Sequence, residues 1–564
     1  MSDTAAVDQA LEDLAIGEKT WAATPLSRRR ELLDEVRDLT VAHAAEWVEA
    51  AAGIKGLPAD SPLRGEEWLS GPYAVATNTA ALAATLAKLE AGESPLAGVE
   101  FGVAPGDRTS VKVFPLDVFD KLLMSGFSAE VWLRPGVTPA EAVREAGLAQ
   151  RDPSHTKGIS AVLGAGNISS IAPLDTLYEL FAHNRVVVLK VNPVTDAMLP
   201  VWTKVLAPFI GLGVVRILSG GAETGQYLVS HRLVDHVHMT GSSLTHDAIV
   251  YGVGADGAAR KAADEPILDK PVTSELGGVS PTIVLPGKWS AADIEFQAQH
   301  VATQRLHNNG YNCIAAQVVV LPARWAQRDQ FVDALRAAID AAPFRSAYYP
   351  GSDARVASAT QSYPDAQRLG QGGARVLVVN PDDHAALRTT EYFGPVLGVI
   401  ELDCPDADFA AEATRVVNDD FVGTLGANII AEPATIKSMG ASFDDFIAGL
   451  RYGTVAVNAW TAVGYLTATA TWGAFPGHTR NDVQSGIGVV HNAFLLDNTE
   501  RTVVRGPFRP SPRSVVGGEM SIAPKPPWFV NNKTAATTGR LLVRFAGHPS
   551  WLKLPKIFAS ALRG

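Results

Sequence analysis

The sequence predicts an α/β protein: a doubly wound, nucleotide-binding parallel sheet joined to a second α/β catalytic domain. Three observations carry that expectation. Between Ile159 and Met239, short apolar runs alternate with helical stretches, as in a parallel sheet covered on both faces. The runs end on turns of glycine, asparagine and serine, which a sheet of this kind gathers along one edge, where ligands bind. A second alternating region extends from Ser290 to about Trp472. The expected domains are residues 1–287 (nucleotide-binding, with a helical N-terminal region), 288–475 (catalytic) and 476–564 (return segment, oligomerisation and basic extension).

Composition narrows the function classes. The chain has 564 residues, 47% of them hydrophobic, which is ample for a large core. Its net charge of -11 argues against general nucleic-acid binding, an affinity drawn from Lys and Arg on phosphates. Two cysteines, Cys313 and Cys404, and a polar MSDTAAVDQALEDL start without the layout of a signal peptide point to a reducing cytoplasm. No apolar run is long enough to span a bilayer. The charge is uneven: from Ser521 onward come Lys525, Lys533, Arg540, Arg544, Lys553, Lys556 and Arg563, with no Asp or Glu. Trp528, Phe529, Phe545, Trp551 and Phe558 lie between them. Such a tail suits peripheral contact with anionic lipid or an acidic partner subunit, and, more plainly, packing on the chain's own acidic body.

In chain order, Thr24-Pro25 reads as the N-cap and first position of an amphipathic helix to Ala52, ended by Gly53 and Gly56. A second helix covers about Ala74 to Ala91, and Val111 to Leu133 holds short strand-like segments. The core alternation follows: strands at Ile159–Leu163, Val186–Val191, Val214–Leu218 and Val234–Met239, with helices from Asp175, Asp196 and Glu223. Gly164 to Asn167, Lys190 to Pro193, Ser219 to Gly225 and Thr240 to Ser242 then share one sheet edge.

The stretch Ser290 to Pro322 delivers a cysteine to a defined place. Ser290 with Asp293 forms a capping-box signature, the helix runs to Asn308-Asn309-Gly310, and Ile314 to Leu321 is a valine-rich buried strand. Cys313 emerges between them. A lone cysteine is more often structural, and it is the company of the other motifs that marks this one.

Those motifs, in order, are Asn167 after a strand, Lys190 after the next, Thr240-Gly241-Ser242, Glu275-Leu276-Gly277-Gly278, Gly310-Tyr311-Asn312-Cys313, Glu391-Tyr392-Phe393-Gly394-Pro395, Val457-Asn458 and Ser485-Gly486-Ile487-Gly488. The ordered set resembles the aldehyde dehydrogenase superfamily from about residue 15 to about residue 492, leaving the C-terminal segment outside. The resemblance implies NAD(P)-dependent oxidation of a small-molecule aldehyde to a carboxylic acid by a homodimer or homotetramer. A thiolate at Cys313 adds to the carbonyl, which turns its carbon into a hydride donor. The Asn167 amide and the Cys313 backbone N–H are implied as oxyanion donors, and Glu275 suits the base that activates water against the thioester.

For the cofactor, NAD or NADP, Lys190 is expected at the adenosine ribose and Ser242 at the pyrophosphate, while Glu391 is implied at the nicotinamide ribose with Phe393 beside it. Asn192, Gly221, Gly225, Thr240, Gly241, Leu276 and Gly277 complete the expected cofactor set. Departures from the family pattern are informative. Lys190-Val191-Asn192-Pro193 lacks the glutamate that grips a ribose and repels a 2′-phosphate, Gly164-Ala165-Gly166-Asn167 replaces a bulkier turn, and Ser219 loosens the glycine fingerprint. Trp472 to Gly477 departs too and, with Trp460 and Tyr465, is a candidate apolar substrate funnel. His236 and His238 share a strand face but lack a third metal ligand, so no metal is expected. Cys404, among acidic neighbours, is expected to be inert. Two other readings remain open: a CoA-acylating enzyme of the same architecture, and a non-catalytic subunit or scaffold that keeps the fold.

Overall fold

The computed structural model describes residues 3–564; Met1 and Ser2, which open the polar N-terminal stretch, lie outside the described residues. Among the described residues, two large sheets carry the architecture. The first has six strands in the spatial order 486–487, 272–276, 236–241, 159–163, 186–190 and 215–218, parallel except for the short first one. Chain direction across this sheet reverses between Ile159–Leu163 and His236–Gly241. The loops after these two strands therefore diverge and open a crevice, the place where a doubly wound sheet takes a ligand. Val186–Lys190 is buried along its whole length, as a parallel strand covered on both faces must be.

The second sheet has eleven strands, with Ser280–Val284, Ala316–Pro322 and Val396–Leu402 side by side and parallel near its middle. Its outer strands come from far away in sequence: Ser128–Leu133 pairs antiparallel with Thr499–Arg505. Ser280–Val284, which the sequence reading grouped with the nucleotide-binding part, is hydrogen-bonded into this second sheet. Gly486 pairs in turn with Glu275 in the first sheet, so a strand from the return segment reaches back across the molecule. A Cβ at Gly486, whose φ is +123, would lie 2.1 Å from the Ser274 carbonyl, which is why glycine is needed at that crossing.

Several boundaries differ from the sequence reading for local reasons. The expected helix from Pro25 to Ala52 is two helices, Leu26–Ala42 and Ala44–Ile54, broken at His43. Pro25 takes the N-cap position and Thr24 does not cap; its hydroxyl donates back to the Thr20 carbonyl of a preceding helix, Asp3–Ala23. The helix expected from Asp175 begins at Ile171. The one expected from Asp196 opens as a 3-10 turn, Pro193–Met198, before Leu199–Val205. The strand after Cys313 starts at Ala316, two residues later than expected.

The C-terminal segment packs on the body, but not through its seven cations. Helix Ala535–Gly547 lies against Arg64–Trp68, with Gly539 so close that a Cβ would meet Trp68 Cβ at 2.7 Å. Phe529 stacks on Phe296 with ring centroids 5.2 Å apart. Among the described residues none of the seven pairs with a carboxylate; Arg509 and Arg513, upstream of them, pair with Asp293 at 3.0 and 2.6 Å.

Candidate active site

The helix that leads to Cys313 begins with the expected capping box, Ser290 accepting from the Asp293 N–H and Asp293 from the Ser290 N–H. It ends at Leu306, not at Gly310, because Asn308, Asn309 and Gly310 all take left-handed conformations, with φ of 52, 55 and 80. Asn308 and Asn309, which unlike Gly310 carry a Cβ, strain the backbone there, and the surroundings must hold them. Glu66 does so by accepting the Asn308 N–H at 3.0 Å, while Arg345 forks onto the same carboxylate. Burial alone would raise Glu66, but Arg345 and the Asn308 N–H hold it below the usual carboxylate range. On the far side Arg305, itself buried, donates to the Gly394 carbonyl and to the Ala315 carbonyl at 3.2 Å.

This turn brings two of the expected residues together with Cys313. Asn167 Nδ2 donates to the Tyr311 carbonyl at 2.9 Å, and Asn308 Nδ2 and Tyr348 Oη donate to the Asn167 carbonyl at 3.1 and 3.2 Å. An amide nitrogen carries two hydrogens, so Asn167 keeps one beyond the bond to Tyr311. The Cys313 thiol is in hydrogen-bond contact with the Glu275 carboxylate, and Trp472 Nε1 donates to Glu275 Oε1 at 3.1 Å. Burial lifts the Glu275 carboxyl to about 7 against the pull of those two donors. Burial, with Glu275 next, pushes the Cys313 thiol well above its ordinary value. A thiol held neutral and touching a carboxyl poised near neutrality has a proton acceptor in place.

Glu391 stands on the other side of the glycine pair. Its carboxylate accepts from the Gly278 N–H, burial lifts it to about 7, and a Cβ at Gly277 would lie 2.0 Å from its Oε1. Phe393, at φ +40, packs edge-on to Tyr349 with centroids 5.0 Å apart. Ser485 closes the pair from behind, its hydroxyl donating to the Gly277 carbonyl at 2.8 Å and its carbonyl accepting from the Leu276 N–H at 2.9 Å.

The remaining expected cofactor residues line the edge of the six-stranded sheet. Lys190 ends its strand beside the crevice, its ammonium made less basic by burial and opposed by Asp196. Asn192 is engaged locally, accepting the Val194 N–H at 3.0 Å and packing on Gly166. Gly221 caps helix Ala222–Ser230 and Gly225 lies within it; a Cβ at either would meet nothing within 4 Å, so this face is open to a ligand. Gly241 pairs with Leu276 in register, and Ser242 caps helix Ser243–Val250 by accepting the Thr245 N–H. Thr240 turns away from the edge, donating to Asp175 at 2.8 Å.

Asp175 and Glu179, one helical turn apart, face His238 and His236, two apart on a strand, each pair at 3.5 Å. The two histidines are thus occupied in a buried polar ladder behind the crevice. Trp460 is buried against His307, and Tyr465 hydrogen-bonds Ser170 at 2.6 Å and meets Trp472 edge-on. Trp472 therefore holds the Glu275 carboxylate and does not simply line a funnel. The Cys404 thiol is raised by burial and by Glu412 and Asp408. Glu66, Arg345, Tyr348 and the Trp472 to Glu275 bond escaped the sequence reading. Their partners lie from 40 to 279 positions away, and no local pattern marks them.

A sequence model of the aldehyde dehydrogenase family matches residues 137–354. Geranial dehydrogenase of Castellaniella defragrans is 30% identical over 238 residues, 38% of this chain and 44% of that protein. Coniferyl aldehyde dehydrogenase of a Pseudomonas species is 28% identical over 263 residues, 43% and 51% of the two chains. The chain thus spans about half the length of the curated relatives it matches. Among solved structures, Mycobacterium tuberculosis aldehyde dehydrogenase complexed with NAD+ aligns with a TM-score of 0.60 at 19% identity, covering 89% of this chain and 90% of that one. The NADP-dependent glyceraldehyde-3-phosphate dehydrogenase of Bacillus halodurans complexed with NADP gives 0.59 at 18%, covering 89% and 91%. These likenesses establish the fold.

Proposed function

We propose that this chain belongs to the aldehyde dehydrogenase superfamily, a reading supported by its match over residues 137–354 and by its fold, and that it oxidises an aldehyde to a carboxylic acid with NAD or NADP. The observation that carries the reading is the hydrogen-bond contact of the Cys313 thiol with the Glu275 carboxylate, with the Asn167 amide held on the Tyr311 carbonyl two residues before the cysteine. Glu275 takes the thiol proton as sulfur adds to the aldehyde carbon, and the second Asn167 hydrogen meets the oxyanion. A nicotinamide bound in the crevice would accept the hydride expelled when that oxyanion collapses. Glu275 then releases its proton to solvent. It takes another from a water that attacks the Cys313 thioester; the carbon–sulfur bond breaks, the acid is freed, and the sulfur leaves as a thiolate that takes that proton back from Glu275.

The crevice fits a dinucleotide on this chain's own geometry. Gly221 and Gly225 leave open space at a helix start, where backbone N–H groups favour a pyrophosphate. Lys190 offers a cation at the strand end, and Gly277 leaves the Glu391 carboxylate room that a side chain would fill. Pro193 stands where the family pattern has the carboxylate that would repel a 2′-phosphate, so both cofactors belong in the test. Geranial and coniferyl aldehyde, named for the two relatives, direct the substrate search toward apolar and aromatic aldehydes. The test is nicotinamide reduction across a matrix of aldehydes and both cofactors, with and without CoA. Activity without CoA that Cys313→Ala removes supports the reading; a strict CoA requirement, or activity that survives Cys313→Ala, overturns it.

A further inference from the structure

A cavity of about 370 Å³ lies between the body and the C-terminal segment that the family resemblance does not reach. Leu69, Tyr73, Phe114 and Leu466 form its body wall, and Trp528, Leu542, Phe545 and Phe558 its tail wall. The tail is seated there by aromatic contact, Phe545 meeting Phe119 edge-on with centroids 5.3 Å apart. Among the lining residues the only charged side chains are two carboxylates, Asp117 and Asp120. A cavity of about 150 Å³ with apolar walls holds a benzene ring, so by proportion this one takes roughly ten to fifteen carbons. Carboxylates without a facing cation disfavour a fatty acid or a phosphorylated carrier and accept an uncharged molecule.

Its position ties it to the site. Helix Ala462–Leu466 presents Val463 and Leu466 to the cavity, and its Tyr465 bonds Ser170, three residues after Asn167, and packs on Trp472. The turn Leu69–Tyr73 lines the cavity with Leu69 and Tyr73, while its Gly71 sits so close to Ser169 that a Cβ would lie 3.0 Å from that hydroxyl. The cavity and the turn that holds Asn167 are thus built against the same two elements, Leu69–Tyr73 and Ala462–Leu466.

We propose that residues 523–561 complete a binding cavity for the hydrocarbon part of a long-chain or terpenoid-sized uncharged aldehyde, which makes the tail a determinant of substrate size. This rests on the aldehyde oxidation proposed above, and the test separates the two. For the natural chain, kcat/KM is expected to rise from propanal to n-decanal, by up to roughly fourfold for each methylene that enters the cavity. Ala546→Trp and Ala561→Phe fill the space from the tail side. Each is expected to lower the decanal-to-propanal ratio of kcat/KM by roughly tenfold or more, in protein whose melting temperature and circular dichroism show it folded. An unchanged ratio in both folded variants overturns the proposal. If the natural chain oxidises no aldehyde, the activity reading fails by itself and the cavity is judged by binding of n-decanol, followed by quenching of tryptophan emission. Binding by the natural chain that both variants lose supports the cavity; absence of binding overturns it.

Discussion

The indole Nε1–H of Trp472 donates to Glu275 Oε1 at 3.1 Å, across 197 positions of sequence. A donor on a carboxylate favours its charged form, so this bond restrains a carboxyl that burial has already lifted to about 7. Removing the donor with Trp472→Phe therefore raises the Glu275 pKa further. The acidic limb of the kcat/KM profile is expected to move up by about one pH unit, the equivalent of a lost hydrogen bond to a charged group. A limb that stays put, or moves to lower pH, would remove Trp472 from this role.

Glu275→Gln keeps the shape of the side chain and removes the base. Both proton transfers assigned to Glu275 are lost, but a thiol can still give its proton to solvent whereas water has no other base. Acylation is therefore expected to be slowed less than hydrolysis, and intact-protein mass spectrometry after mixing with aldehyde and cofactor should record the added acyl mass on Cys313. Steady-state turnover should fall by roughly 10²–10⁴-fold. Turnover near the natural rate with no adduct would mean that another group activates water.

Glu66 and Arg345 form a buried ion pair that also pins the left-handed Asn308. Glu66→Ala leaves the guanidinium without its partner and is expected to cost about 3–5 kcal/mol in denaturant unfolding. The double variant Glu66→Ala/Arg345→Met, which removes both charges, should recover part of that loss. Failure of the double variant to improve on the single one would show that the pair matters for the turn more than for charge balance.

Burial is the first cause that holds five histidines below their ordinary 6.5: His183, His307 and His491 at about 4, His236 and His300 at about 3. In the unfolded chain these rings take up protons near 6.5, so between pH 6.5 and about 4 the unfolded state binds more protons and stability rises with pH. The expected result is a free energy of unfolding that is steady above neutrality and falls as pH drops below about 6.5, with a slope of more than one proton. Glu179, held at about 2 by His236, His183 and Arg185 against the upward push of burial, adds a loss below its ordinary 4.5. Denaturant midpoints measured from pH 8 to pH 4.5 provide the check, and a flat profile would contradict it.

Much of the six-stranded sheet was legible because its signals are local. Ile159–Leu163 coincides with its apolar run; the strand expected over 186–191 ends one residue earlier, at Lys190, and the one expected over 234–239 is shifted by two, to His236–Gly241. Ser290 and Asp293 cap as their spacing indicates. The misjudged boundaries share a different cause. The helix before Cys313 stops at Leu306 because Glu66, Arg345 and Arg305 fix the next turn from outside. Nor does sequence near Thr240 show that its hydroxyl is spent on Asp175 in the neighbouring helix.

The sequence by itself determined the alternating pattern and the capped helix that leads to Cys313, since hydrophobic period and capping chemistry act within a few positions. Tertiary structure alone decided that a carboxyl at 275 would be buried under an indole from 472, and that the last forty residues would wall an apolar space beside the site. Burial and long-range hydrogen bonds set proton affinities and cavities. They exist only once distant segments are packed together.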